Sequence, residues 1–530
     1  MRYVSTRGGG EAVSFEAAIG AGYAPDGGLY VPETLPRITA EDLDAWRTLD
    51  FTAVAVEVLL PFLDGEVSRG ELAELLSKSY AGYDALDTVP VTKLTNNTAL
   101  VELFHGPTLC FKDLGLQVAV RLLALFARKR NEPRTLLVAT TGDTGPAALR
   151  AVADVDDPSL RCVVCFPRGQ ISDLQRRQMT CASSEAIRVC CFEGGGDDMD
   201  APIKRLSLDT TFKAQHGLTG VNSYNIIRPL AQQVHYVWLY LRCRELFSCT
   251  SLDVVVPTGA MGNLAAATFV KRRGVPLEKL CAATNVNDIT FRAFTSGDFS
   301  RASEMVKTRS DAINIQVPYN FERVLYYALD GDAVRTKRAM DAFGETESLK
   351  LDDATRASFA KTYRSARIDD AATLEALKRC RETHGVTVDP HAAVALAGAA
   401  ALGYDDGETP VAILATAHAC KFEEAVVAAI GADAWREYRA SPAFPARAAA
   451  LEAAPETEPF ALRRRAGESL EDAQRRWEVM IRAMLEDPDG LHAVLEECVD
   501  EDDDDLLDGI EEGDIDPGHA MSSDEVLNFA

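Results

Sequence analysis

From residue 135 onward, short apolar runs alternate with stretches in which apolar positions recur every three or four residues. The runs at 135–140, 161–166, 187–192, 253–256, 280–284 and 411–414 predict buried strands. The stretches at 146–152, 172–180, 199–212, 228–246, 263–272, 391–402 and 423–430 predict helices, and helices dominate 319–384. Apolar strands alternating with helices imply an α/β fold of parallel, doubly wound sheets covered on both faces. The first hundred residues are mixed: a turn into a short strand at 26–32, helices at 41–63 and 71–79, and an extended 89–91. Beyond Gly431 the pattern weakens. Pro442, Pro445, Pro455 and Pro459 predict an extended connector, and one amphipathic helix follows with Leu470, Ala473, Trp477, Ile481 and Met484 on one face. The expected division is an N-terminal α+β region (1–95), a core of two α/β domains (96–430), a connector with its helix (431–490) and an acidic tail (491–530).

Composition changes this picture little. A chain of 530 residues with 47% hydrophobic residues has ample core for several domains. Half of the net charge of −26 lies between Glu496 and Asp516, where 13 acidic and no basic residues predict a disordered tail. That run lacks the alternating carboxylates of a calcium loop, since Leu506 stands two residues after Asp504. The moderately acidic remainder argues against nucleic acid or an anionic membrane as partner. No apolar run reaches the roughly 18 residues of a membrane span, and the N-terminus has no secretory or transit pattern, so a cytoplasmic location is expected. The twelve cysteines are scattered, many in apolar surroundings, as suits free thiols in a reducing compartment. Cys162-Val-Val-Cys165 has metal-like spacing, but in a strand residues three apart face opposite ways; no metal site is expected.

The candidate chemistry sits at strand-to-helix corners. Phe104-His105-Gly106-Pro107-Thr108-Leu109-Cys110-Phe111-Lys112-Asp113 ends an apolar run, and Lys112 opens a helical pattern reaching Arg130. A lysine at a helix start is biased towards its neutral form, which is a nucleophile able to form a Schiff base. The 140–145 loop, Thr140-Thr141-Gly142-Asp143-Thr144-Gly145, offers three hydroxyls, two glycines and helix-start N–H groups suited to a carboxylate; the plainer reading is a helix cap. The 257–263 loop, Pro257-Thr258-Gly259-Ala260-Met261-Gly262-Asn263, can wrap N–H groups around a phosphate or be an ordinary glycine turn. In the loop after the last strand, Thr416 could face a ring nitrogen, while His418 is either catalytic or structural. An imine-forming lysine, a phosphate cradle and a carboxylate cradle together describe pyridoxal 5'-phosphate with an amino-acid substrate.

At this point the chain resembles threonine synthase and its threonine synthase-like relatives, pyridoxal-phosphate enzymes of fold type II. The resemblance spans about residues 1–430: Ser5-Thr6-Arg7-Gly8, Asp26-Gly27-Gly28-Leu29-Tyr30-Val31-Pro32, the 105–113 and 140–145 motifs, Asn222-Ser223-Tyr224-Asn225, the 257–263 loop, 315–323, Asp389-Pro390-His391 and 416–422. It implies that Lys112 carries the cofactor, that Gly259, Ala260, Met261, Gly262 and Asn263 hold its phosphate, and that Thr416 stands near its pyridine nitrogen. It further implies that Thr141, Asp143 and Thr144 meet the substrate carboxylate; Arg228 is the candidate for the substrate phosphate, since a guanidinium fork suits that group. The expected reaction is γ-elimination of phosphate from O-phospho-L-homoserine, a small phosphorylated amino acid, followed by water addition at Cβ to give L-threonine. The family usually reads Gly-Asn-Phe-Gly-Asn/Asp where this chain has Gly259-Ala260-Met261-Gly262-Asn263. That change, with 316–320 and Leu462-Arg463-Arg464-Arg465, resembles the second type of threonine synthase-like protein, which releases 2-oxobutyrate, ammonia and phosphate. A silent binding protein on the same fold is a further alternative. The 105–113 wording and the 5–8 block set aside a serine or threonine dehydratase.

Overall fold

In the computed structural model, the described residues are 1–486 apart from 64, 183, 185 and 406; the acidic tail lies outside them. Two sheets organise the chain. The larger has six strands in the order Tyr363–Arg367, Leu277–Thr284, Leu252–Pro257, Val411–Ala415, Thr98–Glu102 and Val91–Lys93. All neighbours are parallel except the last pair. The smaller is fully parallel, in the order Phe460–Leu462, Ile187–Phe192, Leu160–Pro167, Arg134–Ala139 and Leu218–Gly220.

Both sheets are apolar on both faces because successive side chains point to opposite sides. In the larger sheet, Val101, Val254, Val256 and Leu414 pack into one core while Leu100, Val255, Ile413 and Ala415 pack into another. In the smaller sheet Cys162 joins one core and Cys165 the other, so the two thiols of the Cys-x-x-Cys run sit on opposite faces. The helices covering these faces include Lys112–Arg130, Ile227–Phe247, Gly262–Arg272 and Pro390–Ala401. Ile227–Phe247 is enclosed on nearly every side, and it carries Arg228, Gln232 and His235 on one stripe, four and then three residues apart.

Several elements depart from the sequence reading. The single helix expected at 199–212 is two, Asp200–Leu208 and Thr210–His216. Asp209 between them is extended, and its carboxylate accepts from Phe212 N–H as the cap of the second helix. The 41–63 stretch likewise divides into Ala40–Trp46 and Phe51–Leu63. Tyr363–Arg367 is an edge strand inside the region read as helical. The connector expected after Gly431 instead forms helices Ala432–Arg439 and Ala446–Ala453, then Phe460–Leu462 at the edge of the smaller sheet. The amphipathic helix, Leu470–Glu486, seals this end, with Ala473, Trp477, Ile481 and Met484 packed against Phe192, Met199 and Ile203. Among the described residues no helix is long and apolar enough to cross a membrane.

Candidate active site

Three adjacent central strands of the larger sheet, Leu252–Pro257, Val411–Ala415 and Thr98–Glu102, end side by side. Their loops carry 257–263, 416–422 and 103–112; the 140–145 loop arrives from the smaller sheet. The C-terminal ends of such strands are where α/β folds bind ligands. One cleft, enclosing about 940 Å³ of partly open space, lies between these loops. Lys112, Thr141, Asp143, Thr144, Arg228, Thr416 and every residue from Gly259 to Asn263 line it, so these sequence-derived candidates meet in one place, and His418 stands outside.

The lysine loop is held from two sides. Phe111 N–H donates to Thr416 O at 2.8 Å and His418 N–H donates to Leu109 O at 3.0 Å, stitching it to the loop after the last strand. Within it, Asp113 accepts from Thr108 N–H (2.8 Å) and Thr108 Oγ1 (2.7 Å). A Cβ on Gly106 would lie 2.5 Å from the Asp113 carboxylate, so glycine is required at that approach. Lys112 then opens the helix Lys112–Arg130. Burial lowers its pKa below the usual lysine value; Asp143 and Cys110 oppose the shift, and Arg228 and Lys421 add to it.

The 140–145 loop serves as both cap and cleft wall. Thr140 Oγ1 accepts from Gly142 N–H (3.1 Å) and Gly145 N–H (2.9 Å), leaving Thr141 and Thr144 to face the cleft. Asp143 Oδ1 accepts from Lys421 Nζ at 2.7 Å and from Gln175 Nε2 at 2.9 Å. Lys421 Nζ also donates to Thr108 O at 3.0 Å. Burial opposes charge on Lys421, but Asp143, Cys110 and Asp113 together raise the lysine's pKa.

At the 257–263 turn, Met261 adopts φ +59° and Gly262 starts an eleven-residue helix. Its first-turn N–H groups have no intrahelical acceptors, and they border the cleft. Cβ atoms on Gly259 and Gly262 would lie 2.9 Å from Ile313 Cα and 2.8 Å from Ser223 Cβ. The buried Asn263 Nδ2 has no partner among the described residues, while its Oδ1 meets His235 Nε2 at 2.9 Å. A helix start, a close-packed glycine turn and an unpartnered amide donor suit a phosphate, and a half-buried amine of lowered pKa suits an aldehyde.

Other residues were not legible as site residues. Lys421, Gln175 and His235 act through partners remote in sequence; the polar stripe at 228, 232 and 235 in an apolar helix was the available signal for His235. His391 also lines the cleft, its Nδ1 2.6 Å from Asp389 Oδ2 and its Nε2 accepting from Ala312 N–H at 3.1 Å. His418 takes the structural role: its Nδ1 accepts from Cys420 N–H, and its ring lies against Phe104 and Tyr438. Arg228 Nη1 donates to Val221 O at 2.8 Å, and its Nε is unpartnered beside Gly115.

This architecture is that of a fold-type-II enzyme whose cofactor is pyridoxal 5'-phosphate, and residues 93–367 match the family described as "Pyridoxal-phosphate dependent enzyme". Residues 2–80 match "Threonine synthase N terminus" and 392–459 match "Threonine synthase, C-terminal". The chain belongs to the threonine synthase family, pyridoxal-phosphate-dependent carbon–oxygen lyases acting on phosphates. It is 37% identical over 439 residues to threonine synthase-like 2 of Rattus norvegicus, covering 81% of this chain and 89% of that protein. It is 35% identical to the threonine synthase of Pseudomonas aeruginosa, covering 80% and 90%. The crystal structure of PLP-bound threonine synthase from Brucella melitensis superposes with a TM-score of 0.80 at 32% identity, covering 90% of this chain and 99% of the other.

Proposed function

We propose that the chain releases phosphate from O-phospho-L-homoserine and adds water at the β-carbon, giving L-threonine. The observation that carries this reading is a half-buried amine of lowered pKa, Lys112, sharing one cleft with two helix-start turns suited to two anionic groups. When bound, pyridoxal 5'-phosphate supplies the electron sink that lets protons leave the α- and β-carbons. Lys112 would be its covalent seat, and the Lys112 Nζ, when free, would remove the α-proton. Gly259, Ala260, Met261, Gly262 and Asn263 hold the cofactor phosphate through backbone N–H groups and the free Asn263 Nδ2. Thr416, which lines the cleft, would offer its hydroxyl to the cofactor ring. Thr141, Thr144 and the backbone of their loop receive the substrate carboxylate, and Asp143 holds that loop in place through Lys421 and Gln175. Arg228 and Lys112 are the only lysine or arginine side chains lining the cleft among the described residues, which makes Arg228 the candidate for the substrate phosphate.

A second reading is favoured by Ala260 and by the threonine synthase-like 2 relatives: the same early steps, ending in 2-oxobutyrate and ammonia. The two differ in whether water is held over the β-carbon and bulk solvent is kept out. Incubation with O-phospho-L-homoserine decides between them, threonine supporting the first and 2-oxobutyrate the second; no phosphate release overturns both. The same substrate with Lys112→Ala is expected to give no product, and that variant to lose the borohydride-fixed cofactor. A cytoplasmic setting fits the unpaired cysteines.

A further inference from the structure

Two lysines stand near Asp143, and only one is bonded to it. Lys421 Nζ lies 2.7 Å from Asp143 Oδ1, both side chains being essentially inaccessible to solvent. The second oxygen-side contact of that ammonium is Thr108 O at 3.0 Å, in the loop that presents Lys112. Gln175 Nε2 shares the same carboxylate oxygen at 2.9 Å, and Gln178 Nε2 donates to the same Thr108 carbonyl at 3.0 Å. Lys421 thus bridges the 140–145 loop of the smaller sheet to the lysine loop of the larger one. No hydrogen bond joins Lys112 to Asp143, although both border the cleft. A buried carboxylate must be neutralised, and the cation nearest to hand takes the role.

We propose that Lys421 is a positioning residue: by serving as the fixed counter-ion of Asp143, it withholds that carboxylate from Lys112, which therefore remains a free amine able to bond the cofactor. The inference rests on Lys112 being the reacting amine. The other titratable groups facing this pair are Cys110, Asp113, Arg228, His391 and Asp311. Both effects of Lys421 act in one direction. Its own positive charge disfavours a second ammonium nearby, and its bond to Asp143 offsets part of the pull by which that carboxylate favours one. Without Lys421, Asp143 would be buried with Lys112 as its remaining lysine, and the amine would be held protonated.

The test follows covalent attachment rather than turnover. Holoenzyme is equilibrated across a pH series, reduced with borohydride, and the fixed cofactor is quantified by mass. Attachment falls on the acid side as the free amine becomes protonated. Lys421→Met is expected to move that midpoint upward by about one to two pH units, the usual effect of an opposite charge at close range. The double variant Lys421→Met/Asp143→Asn, which removes both charges, is expected to return it to within a few tenths of a unit of the native value. A Lys421→Met profile superimposed on the native one overturns the proposal. So does a double variant that stays shifted, since Lys421 would then act through packing. Where Lys421→Met does not fold, Asp143→Asn alone is expected to shift the midpoint downward, and an unmoved midpoint overturns the proposal. Lys112→Ala is run beside these: if it retains the reduced label, the assignment of the reacting amine fails, a result separable from failure at Lys421.

Discussion

His235 Nε2 lies 2.9 Å from Asn263 Oδ1, joining the middle of the buried helix Ile227–Phe247 to the turn that starts Gly262–Arg272. His235 Nδ1 has no partner, so a proton there would be a buried, unaccepted N–H; the proton belongs on Nε2. Burial pushes the imidazole pKa down to about 3, so the ring is neutral and the bond holds at every pH at which the protein is studied. The consequence is that Asn263 presents Nδ2, a donor, on its other side. His235→Phe keeps the ring volume and removes the donor, leaving Asn263 Oδ1 buried and unpaired. A loss of about 1–3 kcal/mol in urea unfolding is expected, with faster loss of cofactor on dialysis. His235→Gln, which restores an N–H, is expected to recover most of both.

The turn is equally sensitive to volume at Gly262. A Cβ there would stand 2.8 Å from Ser223 Cβ, closer than real side chains approach, and the neighbour is the stem of a short side chain rather than a flexible tip. Gly262→Ala therefore has to push the 222–225 segment away from the turn. The expected cost is about 1–3 kcal/mol, with cofactor affinity reduced more than stability because the displaced N–H groups border the cleft. Titrating cofactor into the stripped variant and following its absorbance checks this. Gly344, whose Cβ would meet nothing within 4 Å, is the matched control for a helical glycine that should accept alanine.

How much of this was readable beforehand follows from the range of the interactions involved. The alternation of strands and helices was legible because the central strands are buried on both faces and most helices keep an exposed stripe, so the pattern is local. Lys112 was legible for the same reason: a strand end, a Gly-Pro turn and a helix start lie within ten residues of it. Tyr363–Arg367 was not, because an edge strand carries Arg364, Ser365 and Arg367 and lacks an apolar run. Phe460–Leu462 was hidden by its length of three residues and by the prolines before it. Lys421 lay within a quoted motif, yet its role depends on Asp143, which is distant in sequence and carried by a loop of the other sheet. The remaining cleft contacts of Asp143 and Asn263 depend on such long-range partners, and spacing along the chain carries no trace of them.

His105 supplies a pH-dependent contribution to stability. Its Nδ1 is 2.9 Å from Asp84 Oδ1 and its Nε2 2.8 Å from Glu102 Oε2, and Arg447 holds Asp84 from the other side at 2.6 Å. Burial opposes the charged ring, but the two carboxylates prevail and raise its pKa to about 9. A histidine whose folded pKa exceeds its unfolded value near 6.5 stabilises the fold fully below the latter. That contribution declines as the pH rises and is gone above about 9. Because the side chain is 20% exposed, on the order of 1 kcal/mol is expected after solvent screening. Urea midpoints measured from pH 6 to pH 10 should fall across this window in the native protein, and His105→Gln should flatten that fall.

The C-terminal helix gives the last prediction. Trp477 is fully buried under Leu470–Glu486, its ring centroid 5.6 Å from that of Phe192 and its Nε1–H donating to Arg463 O at 3.1 Å. Met480, Ile481 and Met484 continue the contact onto the outer face of the smaller sheet, and Arg205 with Glu478 closes its rim at 2.6 Å. None of these residues borders the cleft. Trp477→Ala removes the largest side chain from this core, and a loss of about 3–5 kcal/mol is expected from lost burial and the cavity left behind. The carbonyl of Arg463 loses this donor but keeps Arg476 Nη2 at 2.7 Å. The 140–145 loop is carried by the same sheet through Arg134–Ala139, so the variant separates two ideas about the helix. If it only covers the sheet, the unfolding midpoint falls while the turnover of the folded fraction and its KM stay at native values. If it tensions the sheet that carries the loop, KM rises in proportion to the destabilisation. The first outcome is expected, because the Arg134–Ala139 strand is held between Leu160–Pro167 and Leu218–Gly220, and Ile187–Phe192 also stands between it and the edge strand Phe460–Leu462.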